Sequence, residues 1–419
     1  MDKLDKIFRA YDVRGLYPDE INEEIAYKIG RATARFLKAK EIVVGRDNRL
    51  SSDDLFKSLC EGIQDEGIDI IDIGLVISPM LYWATVRYGY RGGIMITASH
   101  NPSEYNGFKI VKKGSISVGE RSGLGRIKEL IKKERFKDKK RGNASKREIL
   151  REYIKDVLKS INLKNIKPLK VFADYSDGTA NQVIPELFKN LPVSLTTSPL
   201  EETDLGINFD RDGDRILFID EKKQNINPDL ITALLIHHFF RNAGKILYTV
   251  ITSRTVKEEI EKNDNIPICS RVGYTFIKEK MEKEKIIFGA ESSGHYYFRN
   301  NYVLESPLIV LLKILEIISR TKMSLSDLVS QFQRYYQERI AIPVKNTGQT
   351  TSIINRLENK YKTAKIYKID GINIEFSDWW FNLRSSNTEP LMRLTIEADT
   401  KELLEEKKKE LTKLISAQG

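Results

Sequence analysis

Short apolar runs alternate with segments of helical periodicity along most of the chain, and this alternation limits the possible folds more than any other feature. Apolar runs bounded by turn residues are typical of buried strands, whereas apolar residues three and four positions apart predict amphipathic helices. The predicted strands are 41–45, 93–96, 169–174, 193–197, 205–209 and 245–252. The predicted helices are 21–37, 55–66, 149–161, 179–190, 228–240 and 401–415. The pattern predicts an α/β fold with layered sheets and helices.

Length and composition indicate a globular protein of several domains. The 419 residues are too many for one hydrophobic core and predict about two to four domains. No run of about 18 apolar residues occurs, so we expect no membrane span, and the charged N-terminal residues lack an apolar signal core. Cys60 and Cys269 lie far apart without metal-ligand spacing, which indicates buried thiols in a reducing compartment. We therefore expect a cytoplasmic protein with no membrane partner.

The basic charge balance raises the alternative of nucleic-acid binding. The formal net charge is +10, but the excess is spread over helical faces rich in Lys and Glu. The densest basic run, Lys132 to Arg147, is interrupted by acidic residues, and we interpret it as a solvated connector. We expect no nucleic-acid partner, and the positive charge suits anionic ligands such as sugar phosphates.

A serine follows the predicted strand 93–96 in the segment Thr97-Ala98-Ser99-His100-Asn101-Pro102. A hydroxyl on a loop that directly follows a buried strand is held by a rigid element, and catalytic side chains are often found in such positions. A solvated turn serine is the alternative if this segment is considered alone. Ser99 is therefore a candidate nucleophile whose assignment depends on the other motifs.

Three aspartates at alternate positions follow the predicted strand 205–209. Asp210, Asp212 and Asp214, with Gly213 before the last, offer the oxygen ligands that Mg²⁺ prefers. An EF-hand beginning at Asp210 would need glycine where the chain has Arg215, so that interpretation fails. A solvated acidic turn is the remaining alternative.

Two further loops combine charged and hydrogen-bonding side chains. Glu291-Ser292-Ser293-Gly294-His295 offers a carboxylate, hydroxyls and an imidazole, as a polyhydroxylated ligand would require. Arg384-Ser385-Ser386-Asn387-Thr388-Glu389-Pro390 places a guanidinium beside hydroxyl, amide and backbone donors, which suits an anion. Either loop alone is also compatible with ordinary turn chemistry.

In this order, the four loops resemble those of the alpha-D-phosphohexomutases, the phosphomannomutase/phosphoglucomutase family. The segments Phe8–Gly15 and Gly45–Arg49 extend the resemblance, which covers nearly the whole chain. It implies three related mixed α/β domains and a smaller C-terminal α+β domain around a central cleft. The implied domains are a phosphoserine domain at 1–147, a metal-binding domain at 148–224, a sugar-binding domain at 225–338 and a phosphate-binding domain at 339–419.

The resemblance also implies an activity, the interconversion of hexose 1-phosphate and 6-phosphate, with mannose, glucose or both as the hexose. Ser99 would carry a phosphoryl group, and the hexose 1,6-bisphosphate would be the intermediate and activator. The implied catalytic residues are Ser99, His100, Lys109 and Arg215. Mg²⁺ would be held by Ser99, Asp210, Asp212 and Asp214. The oligomeric state implied is a monomer or a homodimer.

The same resemblance implies how the hexose phosphate is bound. The implied sugar-binding residues are Arg14, Tyr274, Glu291, Ser293 and His295. The phosphate that does not react would be held by Arg384, Ser386, Asn387 and Thr388. One anion site would then serve both orientations of the bisphosphate.

Three departures from the family pattern bear on the mechanism. Only a short segment separates the predicted strands 193–197 and 205–209, so the helix usual there should be absent. Ile251 stands where lysine is frequent, and Tyr274 stands where relatives have His, Asp or Lys. The general acid/base stays open among Tyr274, Lys109, Arg254 and His295.

Two alternatives to the mannose/glucose interpretation are kept. A phosphoglucosamine mutase would share most of these loops, although the Glu291–His295 sequence resembles the mannose/glucose branch more closely. A phosphosugar-binding pseudoenzyme would retain the sugar and phosphate loops without transferring a phosphoryl group.

Overall fold

The structure, a computed structural model, describes residues 3–133, 136, 139–175, 178–343, 347–385 and 391–416. The chain forms two compact units. The first consists of Met1–Ile226 and Ser293–Ser326, and the second of Asn227–Ser292 and Asp327–Gly419. Both contain sheets and helices in alternation, as the sequence pattern predicts. Among the described residues, no helix combines the length and the hydrophobicity that crossing a membrane requires.

The N-terminal sheet of the first unit has seven strands. These are β1 (Val13–Leu16), β2 (Glu41–Arg46), β3 (Asp69–Leu75), β4 (Gly92–Ile96), β5 (Tyr105–Lys112), β6 (Ile116–Ser117) and β7 (Ala144–Lys146). The helices of this region are α1 (Lys3–Ile7), α2 (Glu23–Leu37), α3 (Ser52–Gln64), α4 (Ser78–Arg87), α5 (Gly125–Lys133) and α6 (Leu150–Leu158). The strand order is β1-β5-β4-β2-β3-β7, with β6 paired to β5. Strands β4, β2 and β3 are parallel, and β5 runs antiparallel to β4.

Helices α2 and α3 pack closely against each other, and the sequence explains both the start of α2 and this close approach. The side chain of Asn22 accepts a hydrogen bond from the Ile25 N–H at 3.1 Å, which caps the first turn of α2. A Cβ atom at Gly30 would lie 2.2 Å from the Leu59 carbonyl oxygen, so only glycine permits this approach of α2 to α3. The apolar faces of both helices join the core of the sheet.

The interpretation of the segment from Lys132 to Arg147 as a solvated connector is wrong for its last part, which forms a strand of the sheet. Residues Ala144–Lys146 form β7, which pairs in parallel with β3 in the register Ile70↔Ala144. All three residues of β7 are exposed, so the strand contributes backbone hydrogen bonds and no buried side chain. Charged residues are common on such edge strands, and for this reason hydrophobic periodicity did not reveal it.

The second sheet of the first unit has five strands. Its elements are β8 (Leu169–Asp174), α7 (Ala180–Phe188), β9 (Val193–Thr196), β10 (Leu205–Phe209), β11 (Ile216–Ile219) and β12 (Asn225–Ile226). The order is β12-β11-β10-β8-β9, and β8 is parallel to both β9 and β10. Residues 197–204 join β9 to β10 without a helix, which confirms the absence predicted from the short spacing.

The next segment belongs to the second unit. Its elements are α8 (Pro228–Phe239), β13 (Lys245–Thr249), α9 (Arg254–Lys262), β14 (Ile266–Ser270), α10 (Tyr274–Glu284) and β15 (Phe288–Ala290). Strand β13 pairs in parallel with β14 on one side and β15 on the other. The chain then returns to the first unit with β16 (Tyr296–Phe298), β17 (Leu304–Glu305) and α11 (Pro307–Thr321), and α12 (Leu325–Ser330) follows.

The C-terminal part of the second unit is an antiparallel sheet with two helices. Its elements are β18 (Tyr336–Pro343), α13 (Thr347–Lys360), β19 (Lys365–Tyr367), β20 (Ile372–Glu375), β21 (Trp379–Ser385), β22 (Leu391–Ala398) and α14 (Lys401–Ser416). The order is β18-β22-β21-β20-β19. Leu404, Leu411 and Ile415 of α14 are buried in the core of this sheet, as their helical spacing predicts. The four domain boundaries proposed from the sequence stay predictions.

Candidate active site

Ser99 is held in a constrained conformation directly after β4. Its φ angle is 51°, a left-handed conformation that is uncommon for a residue other than glycine. The Ser99 N–H donates to Thr97 Oγ1 at 2.8 Å, and Ser99 Oγ donates to Asp210 Oδ2 at 3.3 Å. The loop therefore directs the hydroxyl toward the first of the three aspartates, and strained conformations of this kind are found mainly at functional sites.

Arg49 holds the backbone of the serine loop through hydrogen bonds to its carbonyl oxygens. Its guanidinium donates to the carbonyl oxygens of four loop residues: Ser99 at 2.7 Å, Asn101 at 2.7 Å, Pro102 at 2.6 Å and Tyr105 at 2.9 Å. Nε donates to Asp47 Oδ2 at 3.1 Å, and both side chains are fully buried. The family resemblance drew attention to the segment 45–49, but no sequence signal connected Arg49 to Ser99, because the contacts are to backbone carbonyls of a loop about fifty residues later.

The three aspartates predicted as metal ligands lie together. Oxygen atoms of Asp210, Asp212 and Asp214 are all within 4.8 Å of one another. The turn that gathers them requires Gly213, which has a φ of 62° and no room for a Cβ atom, since one would lie 2.5 Å from Ile77 Cγ2. The glycine of the motif is thus explained by the backbone of the turn and by its contact with Ile77.

Buried donors surround this acidic cluster. Lys109 Nζ donates to Oδ2 of Asp212 and to Oδ2 of Asp214, at 2.6 Å in each case. Ser78 Oγ donates to Asp212 Oδ2 at 2.5 Å, and His295 Nε2 lies 3.2 Å from Asp214 Oδ1. Burial opposes ionisation, yet the charges of Lys109 and His295 hold the pKa of Asp214 well below its usual range.

The remaining electrostatics of the cluster fit a hard cation. Burial, followed by repulsion from Asp214 and Asp212, raises the pKa of Asp210 to about 8. The buried Oδ1 of Asp212 has no hydrogen-bond partner among the described residues. Three carboxylates that lie together, one of them with an unpaired buried oxygen, form a donor set that suits a divalent cation with oxygen preference. The side chains present could therefore hold a metal ion.

Two arginines bind the side chains of His100 and Asn101, the two residues that follow Ser99. Arg215 donates through Nη2 to His100 Nδ1 at 2.9 Å, and its backbone N–H donates to Asp210 Oδ1 at 3.2 Å. Desolvation, then the charges of Arg215 and Arg14, lower the pKa of His100, so the imidazole accepts this hydrogen bond in its neutral form. Arg14 donates to Asn101 Oδ1 at 2.6 Å and forms an ion pair with Asp12. All four catalytic candidates thus lie around one acidic cluster.

The predicted sugar loop begins in the second unit and ends in the first. In the second unit, Glu291 is buried and its Oε1 accepts from the Gly273 N–H at 3.1 Å, directly before Tyr274 opens α10. In the first unit, Ser293 Oγ lies 2.9 Å from His295 Nδ1, and His295 reaches Asp214 through its other nitrogen. His295 therefore contacts the acidic cluster, a position that its motif alone did not reveal.

The predicted phosphate loop is described only in part. Arg384 lies at the end of β21 and is largely buried, whereas Ser386, Asn387 and Thr388 lie outside the described residues. Arg393 of β22 stands directly opposite Arg384 in the antiparallel register. Side chains of such a pair share one face of the sheet, so two guanidinium groups lie on the same face. Arg393 was not predicted, although the apolar neighbours Met392 and Leu394, which are buried, place it on the opposite face of the strand.

Arg254, a candidate acid/base, is occupied by carboxylates within the second unit. The backbone N–H of Arg254 donates to Glu397 Oε1 at 3.0 Å, and its side-chain Nη2 donates to Asp399 Oδ1 at 2.6 Å. The carbonyl oxygen of Ile251 accepts from Gln337 Nε2 at 3.3 Å, a backbone contact that does not involve its side chain. The carboxylate contacts of Arg254 reduce the case for proton transfer by that residue.

A strained loop serine beside a buried three-carboxylate cluster, on sheets of mixed α/β type, defines a site suited to phosphoryl transfer. Models of the phosphoglucomutase/phosphomannomutase family match the chain in three places: α/β/α domain I at residues 5–138, α/β/α domain III at 227–335 and the C-terminal domain at 339–414. A phosphomannomutase of Vibrio cholerae is 37% identical over 97% of this chain and 98% of its own length. A phosphomannomutase of Escherichia coli K12 is 35% identical over 93% and 94%.

A solved structure gives the same assignment. A phosphoglucomutase/phosphomannomutase family protein of Burkholderia thailandensis superposes with a TM-score of 0.88 at 26% identity, over 100% of this chain and 98% of that protein. The chain belongs to the phosphoglucomutase/phosphomannomutase family, which confirms the recognition made from its motifs and the mixed α/β fold in several domains. It is an enzyme, an isomerase of the intramolecular phosphotransferase class.

Proposed function

We propose that the enzyme interconverts hexose 1-phosphate and hexose 6-phosphate, with mannose or glucose as the hexose, through phosphoserine at Ser99 and a hexose 1,6-bisphosphate. The contact that carries the proposal is the one between Ser99 Oγ and Asp210 Oδ2 at 3.3 Å, at the edge of the acidic cluster. The names of the relatives support mannose or glucose over glucosamine. A cytoplasmic location is part of the proposal, supported by two cysteines that are both free thiols.

The residues around Ser99 can perform the transfer as follows. Phosphoserine would add about −1.5 to −2 charge at a site where Lys109, Arg215 and the neutral His100 supply donors. Asp210, Asp212 and Asp214 would hold Mg²⁺ together with an oxygen of the phosphoserine. When bound, Mg²⁺ supplies positive charge that stabilises the phosphoryl group during transfer. Arg215 would orient the phosphoryl group, because its backbone N–H donates to Asp210 and its side chain contacts both Asp210 and His100.

Binding of the hexose phosphate would use the other loops. Glu291, Ser293 and Tyr274 would bind sugar hydroxyls, with Arg14 at the serine loop. His295 would orient Asp214 and Ser293 in addition to its sugar contact, since its two nitrogens face these two side chains. Arg384, Ser386, Asn387 and Thr388 would hold the phosphate that is not reacting, because a bidentate guanidinium suits a phosphate group. The bisphosphate would turn over so that either phosphate meets Ser99.

Transfer of radiolabel tests the proposal directly. Enzyme carrying ³²P at Ser99 should lose its label when mannose 1-phosphate is added, and the label should appear in sugar phosphate. A label that stays on the protein would contradict the phosphoserine mechanism and favour a binding protein without transfer. Parallel coupled assays with the 1-phosphates of mannose, glucose and glucosamine would then rank the substrates, and a preference for glucosamine would overturn the mannose/glucose assignment.

A further inference from the structure

Lys109 occupies a position between two of the three aspartates that are proposed as metal ligands. Its Nζ lies 2.6 Å from Asp212 Oδ2 and 2.6 Å from Asp214 Oδ2, and its side chain is only 4% exposed. The flanking residues Phe108 and Ile110 of β5 are buried in the apolar core of the sheet. Because side chains alternate along a strand, the backbone of β5 commits Lys109 to the opposite face, toward the aspartates.

The Lys109 ammonium and a divalent cation would compete for the negative charge of the same two carboxylates. Mg²⁺ binds carboxylate oxygen at about 2.0–2.1 Å, so a cation on these oxygens would lie close to the Lys109 ammonium in a buried region where charges repel strongly. We propose that Lys109 and the divalent cation are alternative occupants of the Asp212–Asp214 pair, and that cation binding displaces the Lys109 ammonium toward the phosphoryl group on Ser99. The inference rests on the proposed metal site and goes beyond it by giving Lys109 two positions.

The two carboxylates keep other contacts when the ammonium leaves. Ser78 Oγ donates to Asp212 Oδ2, and His295 Nε2 is 3.2 Å from Asp214 Oδ1. Neither contact involves Lys109, so both aspartates stay oriented for a cation. The exchange therefore needs movement of one flexible side chain and no rearrangement of the turn that carries the aspartates.

The displaced ammonium has a partner of opposite charge close by. Ser99 Oγ is bound to Asp210, the third member of the cluster, and a phosphoryl group there would carry about −1.5 to −2 charge. Lys109 would thus neutralise carboxylates before the cation binds and neutralise phosphoryl oxygens afterwards. Charge in the buried site would stay compensated in both states, and Lys109 would reach the phosphoryl group only when the cation is in place.

A pair of matched variants separates this exchange from a fixed ion pair. Lys109→Met removes the ammonium at nearly constant length, and Lys112→Met removes a charge from the same strand, where Nζ donates to the Ser122 carbonyl at 3.3 Å instead. Mn²⁺ alone would be titrated into the dephosphorylated full chain by electron paramagnetic resonance. Because a competing positive charge is removed, Lys109→Met should bind Mn²⁺ at least about tenfold tighter than wild type, and Lys112→Met should differ by less than about twofold. Equal or weaker binding by Lys109→Met would overturn the exchange.

Thermal unfolding provides a second readout that a fixed structural ion pair would not reproduce. In EDTA, the Tm of Lys109→Met should lie well below that of wild type. Saturating Mg²⁺ should reduce this Tm difference until it equals the difference between Lys112→Met and wild type, because tighter binding of the cation adds more stability. A difference that is the same with and without Mg²⁺ would show that Lys109 keeps its carboxylate contacts when metal is bound, contrary to the inference.

The wild-type chain gives a test that does not depend on the folding of a variant. Amine acetylation of Lys109, followed by mass spectrometry with Lys112 as internal reference, should become at least about threefold faster with Mg²⁺ because the ammonium leaves its buried ion pairs. An unchanged or slower rate would overturn the proposal. If wild type binds no Mn²⁺ at all, the metal site of the proposed function fails as well. If wild type binds Mn²⁺ and Lys109→Met binds it no more tightly, the exchange is refuted and the metal site of the proposed function still stands.

Discussion

Replacement of Arg49 by lysine tests whether the serine loop is positioned by the guanidinium beneath it. Arg49 donates to four carbonyl oxygens of the loop and to Asp47. A lysine has three N–H donors, so it can keep Asp47 and at most two of the four carbonyl contacts. At least two buried carbonyl groups then lose their partner, and each unsatisfied group costs about 1–3 kcal/mol. The expected loss of unfolding free energy is therefore about 2–6 kcal/mol.

The effect on catalysis should exceed the effect on substrate binding. Because the lost contacts hold the backbone of residues 99–105, Ser99 would shift relative to Asp210, and a displacement of about 1 Å can cost about a hundredfold in rate. We expect kcat of Arg49→Lys to fall by about a hundredfold, while KM changes by less than about threefold, since Arg49 makes no direct contact with the residues proposed to bind the sugar or the non-reacting phosphate.

The assay combines initial rates with urea denaturation, and Arg46→Lys is the matched control. Arg46 lies at the end of the same strand, β2, but its side chain pairs with Asp53 and Asp72 rather than with the loop. The control should keep kcat within about threefold of wild type, because exposed or partly exposed ion pairs contribute little. Wild-type kcat in a folded Arg49→Lys, or an equal loss in Arg46→Lys, would refute the role given to Arg49.

Four further predictions concern the proposed chemistry. Ser99→Ala should leave below about 1% of mutase turnover, because no other described hydroxyl donates to the acidic cluster from a comparable loop, and higher activity free of contamination would exclude Ser99 as nucleophile. EDTA should stop turnover and Mg²⁺ should restore it, whereas full activity in EDTA after dialysis would argue against the metal site. Asp212→Ala should move the Mg²⁺ requirement into about the millimolar range or abolish activity. Arg384→Ala should raise KM by about tenfold or more for both the 1-phosphate and the 6-phosphate, and a defect for one substrate only would contradict a shared phosphate site. Tyr274→Phe should lower kcat by less than about tenfold without changing the pH profile, and a thousandfold loss together with disappearance of the basic limb would show that the tyrosine transfers the proton.

Local patterns in the sequence were sufficient for most elements and for the family. Helix α14 and the buried positions Leu404, Leu411 and Ile415 follow from periodicity, since burial of an amphipathic face depends on spacing alone. The missing helix between β9 and β10 follows from chain length, because residues 197–204 are too few for a helical crossover. Strand β7 was not predictable in this way, since its exposed side chains give no hydrophobic alternation and its pairing is made by the backbone.

The sequence by itself determined which functional groups are available: the Ser99 loop, the three alternating aspartates, the sugar loop and the Arg384 loop, each a contiguous motif whose spacing reflects local backbone geometry. Only the tertiary structure decided how groups from separate motifs meet. Lys109 lies between Asp212 and Asp214, His295 reaches Asp214, and Arg49 binds the carbonyls behind Ser99. Such contacts join residues that are many positions apart, and they depend on the packing of sheets and on carbonyl groups that every residue carries. A pattern of residue types therefore cannot reveal them, although they set the charge balance and the position of the nucleophile.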